Sequence, residues 1–290
     1  MRQYLITMTD SHGGHLLGLM PPNVTLFQVG RNGAIVPRSP KQTEMQNYLW
    51  YDVYIPAVRK IKKLAKRHPI VGIHAGDPTH GLNHPDQLVS TSTADHIQIA
   101  VENMAPLLQL ENMRAFRFVM GTDAHEFGEG SASILVAANI KNIYRGLDVG
   151  VVAHGLAEIR GTGVTIDYAH HGPPPGARSW LHGNVARYYL RDQMLIHLAE
   201  LGQVPPDIFL RGHVHEYVHE VLRQDCPGGE CWSRLVVIPS MCGLDRFAQK
   251  TTRSHYILRN GLVVFVVDNE RIVDVIPYIE QMDLRTKEQI

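Results

Sequence analysis

Five short apolar runs in this chain each break off at a glycine, an aspartate or a histidine, and this recurrence constrains the fold more than any other feature. Residues 3–9 lead into Asp10-Ser11-His12-Gly13-Gly14-His15, and residues 70–75 into Gly76-Asp77-Pro78-Thr79-His80. Residues 115–120 lead into Gly121-Thr122-Asp123-Ala124-His125-Glu126. Residues 163–169 end at His170-His171-Gly172, and residues 207–210 lead through Arg211 into Gly212-His213-Val214-His215. Short apolar runs bounded by turn residues have the character of buried strands. Between them the apolar spacing is helical over residues 43–67, 86–112 and 180–202, with a shorter helix over 131–138. Strand and helix thus alternate through the first two-thirds, which predicts an α/β (α+β) chain.

The last third changes character. Residues 217–222 and 232–239 form an expected hairpin across the turn Cys226-Pro227-Gly228-Gly229-Glu230-Cys231. A second is expected between residues 254–258 and 262–268 across Arg259-Asn260-Gly261, because Asn-Gly is a strong turn signal. Residues 272–276 form a final strand, and residues 21–40, rich in proline and glycine, are expected as loop. Pro56 should kink or divide the helix of residues 43–67. The basic run from Arg59 to Arg67 in its last turns is a solvated face that suits a helix C-terminus. No stretch has the composition of a linker. Residues 1–290 therefore read as one domain, with region 216–290 completing a second sheet.

Composition removes several classes of function. Lys+Arg and Asp+Glu both number 28, so there is no bulk attraction to nucleic acid or anionic membranes. No apolar run approaches the ~20 residues of a membrane span. The N-terminus shows no signal-peptide pattern, and a cytoplasmic location is expected. Three cysteines make no disulfide framework, and Cys226 and Cys231 are expected as reduced thiols at a hairpin tip. The unusual count is 17 histidines. Histidine is the commonest metal ligand and general acid or base. His74, His80 and His84 flank Asp77; each taken singly is a surface histidine, and together they are candidates for holding metal ligands in place.

The ordered set Asp10-x-His12, Gly76-Asp77, Gly121-Thr122-Asp123-Ala124-His125-Glu126, His170-His171 and Gly212-His213-Val214-His215 resembles the calcineurin-like metallophosphoesterases. Their signature runs D-x-H, G-D, G-N-H-[DE], H, G-H-x-H, and the resemblance spans residues 1 to about 240. Segments 18–22 and 49–51 are similar to uncharacterised phage and prophage members. The resemblance implies a two-sheet β-sandwich flanked by helices, with a dinuclear metal site. By position, Asp10, His12 and His215 would hold one ion, Asp77 would bridge, and His213 with either His170 or His171 would hold the second. His125, with Glu126 as its acidic partner, matches the catalytic histidine. The family's asparagine ligand is missing: Ala124 stands there, so Thr122 or Asp123 becomes the candidate oxygen donor. Mixed imidazole and carboxylate ligands suit Mn foremost, with Fe, Zn or Co as alternatives, and not Ca. Two such cations clamp a phosphoryl group and activate water. The implied activity is hydrolysis of a phosphate ester, a diester favoured over a monoester. The alternatives are a nuclease, for which residues 60–67 are the only basic candidate, and a non-catalytic binding protein on this fold.

Overall fold

The computed structural model describes residues 2–174, 176, 181, 183–245 and 256–289. It is a mixed α/β structure with three sheets. The largest contains β1 (Gln3–Met8), β4 (Ile70–His74), β5 (Met113–Val119) and β6 (Asp148–Val152) in parallel, with β12 (Ile257–Asp268) and β13 (Arg271–Asp283) added antiparallel beyond β1. The second runs in the order β10 (Val218–Cys226), β11 (Gly229–Val237), β9 (Ile208–Arg211), β8 (Thr165–Ala169) and β7 (His154–Glu158). A small ribbon pairs β2 (Leu26–Val29) with β3 (Ile35–Arg38) inside the segment expected as loop.

Alternation along the strands assigns each face its partner. Tyr4, Ile6 and Met8 of β1, with Phe116 and Phe118 of β5, pack against the helices α2 (Ile55–Ala65), α3 (Thr93–Leu108) and α4 (Ala132–Ile143). Leu5 and Ile73, on the opposite face, share one apolar cluster with Ile166, Ile208 and Leu210 of the second sheet. Phe209 and Leu235 turn the other way, onto α5 (Asn184–Leu195). The central strand β1 is therefore buried along its whole length.

Local chemistry explains the first helical stretch. Thr43 caps α1 (Glu44–Asn47) in a reciprocal box with Gln46. A π-helical segment, Tyr48–Tyr54, then leads into α2 with Pro56 in its first turn. The expected helix of residues 180–202 begins at Asn184; residues 177–180 and 182 lie outside the described residues, as do residues 254–255 of the expected hairpin.

Three expectations for the C-terminal third are corrected. Asn260-Gly261 is not a turn but lies mid-strand in β12. The Asn260 amide is fully buried and donates to Ser240 O (3.0 Å) and Cys242 O (2.9 Å), so a tertiary clamp outweighs the local preference. The hairpin turns instead at Asn269-Glu270, both with positive φ (46° and 66°). Only the hairpin β10–β11 joins the second sheet; β12 and β13 complete the first, against the expectation that all of region 216–290 completes the second. Cys226 and Cys231 are joined as a disulfide across the β10–β11 tip, their Cα atoms 5.8 Å apart, rather than left as separate thiols. Among the described residues no helix is long and apolar enough to cross a membrane.

Candidate metal centre

The carboxyl ends of β1, β4 and β5 are neighbours in the first sheet, and those of β8 and β9 in the second. The two sheets approach closely there. A Cβ on Gly212 would lie 2.3 Å from Thr9 Oγ1, and one on Gly76 would lie 2.2 Å from the His170 ring. Glycine is required at both places by contact alone. Gly212 N donates to His170 O (2.8 Å), and His213 N donates to Asp10 Oδ2 (3.0 Å), which ties the last strand end to the first. Asp10, His12, Asp77, His213 and His215 all adopt left-handed φ, between 42° and 72°. Such conformations cost on the order of 1–3 kcal/mol each and cluster where a site dictates the backbone.

Four overlapping groups of candidate donors result, among them His12, His80 and His125, and two of the clusters match the expected sets. Asp10 Oδ1 lies 3.2 Å from His215 Nε2 and 3.7 Å from His12 Nε2, while the two imidazole nitrogens are 3.4 Å apart. Asp10 Oδ1 is buried without a hydrogen-bond partner. In the second group Asp77 Oδ2 lies 3.0 Å from His170 Nε2, and Thr122 Oγ1 is 3.4 Å from Asp77 Oδ2, His170 Nε2 and His213 Nδ1 alike. Ligand atoms held tetrahedrally at about 2.0–2.2 Å from a cation lie roughly 3.3–3.6 Å apart, so both groups have the spacing of a metal site. Asp10, Asp77 and His170 offer donor atoms within 4.8 Å of one another, which makes the groups contiguous.

The second coordination layer fixes orientation. His170 Nδ1 donates to Ala75 O (2.8 Å), leaving Nε2 for the site. Thr122 N donates to Asp77 Oδ1 (2.7 Å) and leaves Oδ2 to be shared. His125 Nδ1 donates to His80 O (2.6 Å), so its Nε2 faces Asp77 Oδ2 at 3.9 Å. Burial would raise the Asp10 carboxyl, yet the charges of His215 and His170 hold it well below its ordinary range. Burial, reinforced by His125 and His215, holds His12 neutral, the form that ligates metal. His170 resists burial because Asp77 and Asp10 face it, and its pKa rises to about 9. His215 is raised for the same reason by Asp10. His213 is lowered by burial, then by His170.

The expected residues do not all enter this arrangement. His170 sits inside the donor set, and His171, exposed at its rim, forms a further group with His170 and His213 whose donor atoms lie within 4.8 Å of one another. Thr122 faces the donors, whereas Asp123 is exposed and belongs to none of these groups. Glu126 is not placed as the acidic partner of His125. Its buried carboxylate accepts from Gly121 N (2.9 Å), from Ser133 N (2.8 Å) and from the Ser133 hydroxyl, at the start of α4. The backbone turns at residues 122–128, and α4 presents its free amide groups to the carboxylate. Of the histidines around Asp77, His84 is exposed, but His74 and His80 are buried. Their sole mark in the sequence is proximity to Asp77. Burial holds His74 down to about 4 and, together with His15 and His125, His80 down to about 2. Neither family models nor curated proteins give a match to the chain.

Proposed function

We propose that this chain is a dinuclear metal-dependent phosphoesterase of the calcineurin-like type, acting on phosphodiesters, its two large sheets forming the helix-flanked sandwich of that family. The observation that carries the reading is the contiguity of the donor groups. Asp10 stands both with His12 and His215 and with Asp77 and His170, while Thr122 faces Asp77, His170 and His213. Buried carboxylates beside imidazoles, with an unpaired Asp10 oxygen, fit divalent cations, Mn foremost, with Fe, Zn or Co as alternatives. Two such cations, when bound, supply Lewis acidity to the phosphoryl oxygens and a nucleophile drawn from water. The protein's own residues supply position and a proton. His125, anchored at Nδ1, turns Nε2 towards the centre and in its imidazolium form protonates the leaving oxygen. Among the described residues no lysine or arginine pairs with Asp10 or Asp77. A diester, with one charge, asks for less neutralisation than a monoester with two.

Two competing readings lose support. The basic run of residues 59–67 abuts the amino ends of β1 and β4, where Tyr4 OH donates to Leu64 O (3.2 Å), at the opposite end of the strands from the donors. It offers no groove for nucleic acid beside the site. The non-catalytic reading rested on the missing asparagine, and the Thr122 hydroxyl stands among the donors in its place.

The test is hydrolysis of bis-p-nitrophenyl phosphate by chelator-stripped protein reloaded with Mn. Turnover should depend on metal, and Asp77→Asn and His213→Ala should each reduce it more than about a hundredfold while circular dichroism stays unchanged. Mn binding with no turnover on mono-, di- or triesters would favour the binding protein. No Mn binding at all would overturn the proposal.

A further inference from the structure

His80 lies where three segments meet. Its backbone N donates to Gly13 O (3.1 Å), in the loop after β1. Its carbonyl accepts from His125 Nδ1 (2.6 Å) in the loop after β5, and the hydroxyl of the preceding residue, Thr79, donates to His125 O (2.6 Å). Its ring Nδ1 lies 3.4 Å from His12 Nδ1. The three imidazoles pack together, with ring centroids 4.5 Å apart for His12 and His125, 4.9 Å for His80 and His125, and 5.3 Å for His12 and His80. The next residue leaves no slack, because a Cβ on Gly81 would lie 2.1 Å from Ala124 O.

We infer that His80 is a positioning residue that registers two imidazoles against each other, holding His12 through its ring and His125 through its backbone carbonyl. The inference rests on the phosphoesterase reading above. His12 directs Nε2 at Asp10 and His215, so a cation bound there leaves Nδ1 carrying its hydrogen. That hydrogen needs an acceptor, and His80 Nδ1 is aligned to be one. An imidazole that accepts at Nδ1 carries its own hydrogen at Nε2. In His80 that Nε2 is buried with no hydrogen-bond partner. An orphaned buried donor is destabilising, a cost that an apolar side chain of the same size would not incur. The cost is accounted for if the Nδ1 atom has a task. An imidazole that orients a ligating imidazole is such a task, because ligand orientation tunes metal affinity by about 10–100-fold.

The experiment is titration calorimetry of Mn into chelator-stripped full-length protein, for the wild type, His80→Leu and His80→Asn. Leucine fills the volume without an acceptor. Asparagine places an amide oxygen near the position of Nδ1. His80→Leu should weaken one of the two Mn sites by about 10–100-fold, and His80→Asn should restore it to within roughly threefold. In the Zn-loaded wild type, long-range proton–nitrogen correlation should show His12 Nδ1 protonated and in slow exchange, with His80 Nδ1 unprotonated, a readout that needs no variant to fold. Unchanged Mn affinity in His80→Leu, equal loss in both variants, or a protonated His80 Nδ1 would each overturn the inference while leaving the phosphoesterase reading intact. A wild type that binds no Mn would overturn both.

Discussion

Glu126 offers the sharpest perturbation, because two roles for it predict opposite results. Its carboxylate is 1% exposed and takes three donors, Gly121 N, Ser133 N and the Ser133 hydroxyl. Glu126→Ala strands those donors. Ser133 is fully buried, so water reaches its two donors poorly. At about 1–3 kcal/mol for each of those two donors, plus about 1 kcal/mol for the lost interaction with the start of α4, the loss comes to roughly 3–7 kcal/mol. For a chain of this size that corresponds to a fall in melting temperature of roughly 10 °C. Glu126→Gln keeps the volume and one acceptor, and the Ser133 hydroxyl can rotate to accept from the new amide, so its cost should be nearer 1–2 kcal/mol. The assay is urea unfolding followed by tryptophan fluorescence, run beside diesterase turnover at saturating Mn. A structural Glu126 loses stability in the order wild type, Gln, Ala, with turnover following the folded fraction. If Glu126→Ala unfolds within about 0.5 kcal/mol of the wild type yet turns over a hundredfold more slowly, the carboxylate belongs to the chemistry and the placement argued above is refuted.

Thr122→Val removes one hydroxyl that sits 3.4 Å from three donors, and should weaken one of two Mn equivalents at least tenfold by metal analysis after dialysis; two fully retained equivalents would remove Thr122 from the site. Gly121→Ala would place a Cβ 1.9 Å from Asp77 Oδ1 and 2.5 Å from Asp77 N, so metal content and unfolding midpoint should fall together, whereas Gly228→Ala, with nothing within 4 Å, should cost only about 1 kcal/mol for its positive φ. Wild-type metal content in Gly121→Ala would refute the close approach of those loops. For the metal-free protein, burial holds His74 at about 4 against an ordinary 6.5, so between these values the unfolded chain binds a proton that the folded chain does not. Stability is then fully present above pH 6.5 and is lost as pH falls towards 4, by about 1.4 kcal/mol per unit from His74, with His15 and His96 acting in the same direction. His170, raised to about 9, works in the opposite sense and only above pH 6.5. A urea midpoint that stays flat from pH 7 to 5 would contradict this.

The strand ends were legible because two independent signals coincide there. Apolar runs of strand length stop at glycines, and polar donors follow at once, so periodicity and chemistry mark the same places in Asp10, Asp77 and His213, while the choices between Thr122 and Asp123 and between His170 and His171 stay open in the sequence. What was not legible depends on contacts between distant residues. Asn260-Gly261 has the local sequence of a turn, but three-dimensional demand from Ser240 and Cys242 holds it in a strand. Asn269-Glu270, the actual turn, carries no glycine. Glu126 follows His125 directly, yet the identity of its partner is decided by where α4 begins, which no spacing rule states. His80 was one histidine among 17, and only burial and its three bonds single it out. The division of the last two hairpins between two sheets is equally invisible to alternation, which does not say which sheet a strand joins.

The pairing of β1 bears on how such a chain is made. β1 is the central strand of the first sheet, and its neighbour on one side is β12, with Gln3 opposite Val267. Some 250 residues separate the two, so at roughly 5–20 residues per second a ribosome would need on the order of ten to fifty seconds to supply the partner. Through that interval an apolar strand has one hydrogen-bonding edge without its mate, a template for pairing with other chains. Asp10, at the tip of the same strand, likewise waits for His213 and His215. On the proposed reading, metal capture would therefore fall among the last events of folding. Expression yield should respond more to slowed synthesis, chaperone supply and lower temperature than to the amount of metal in the medium.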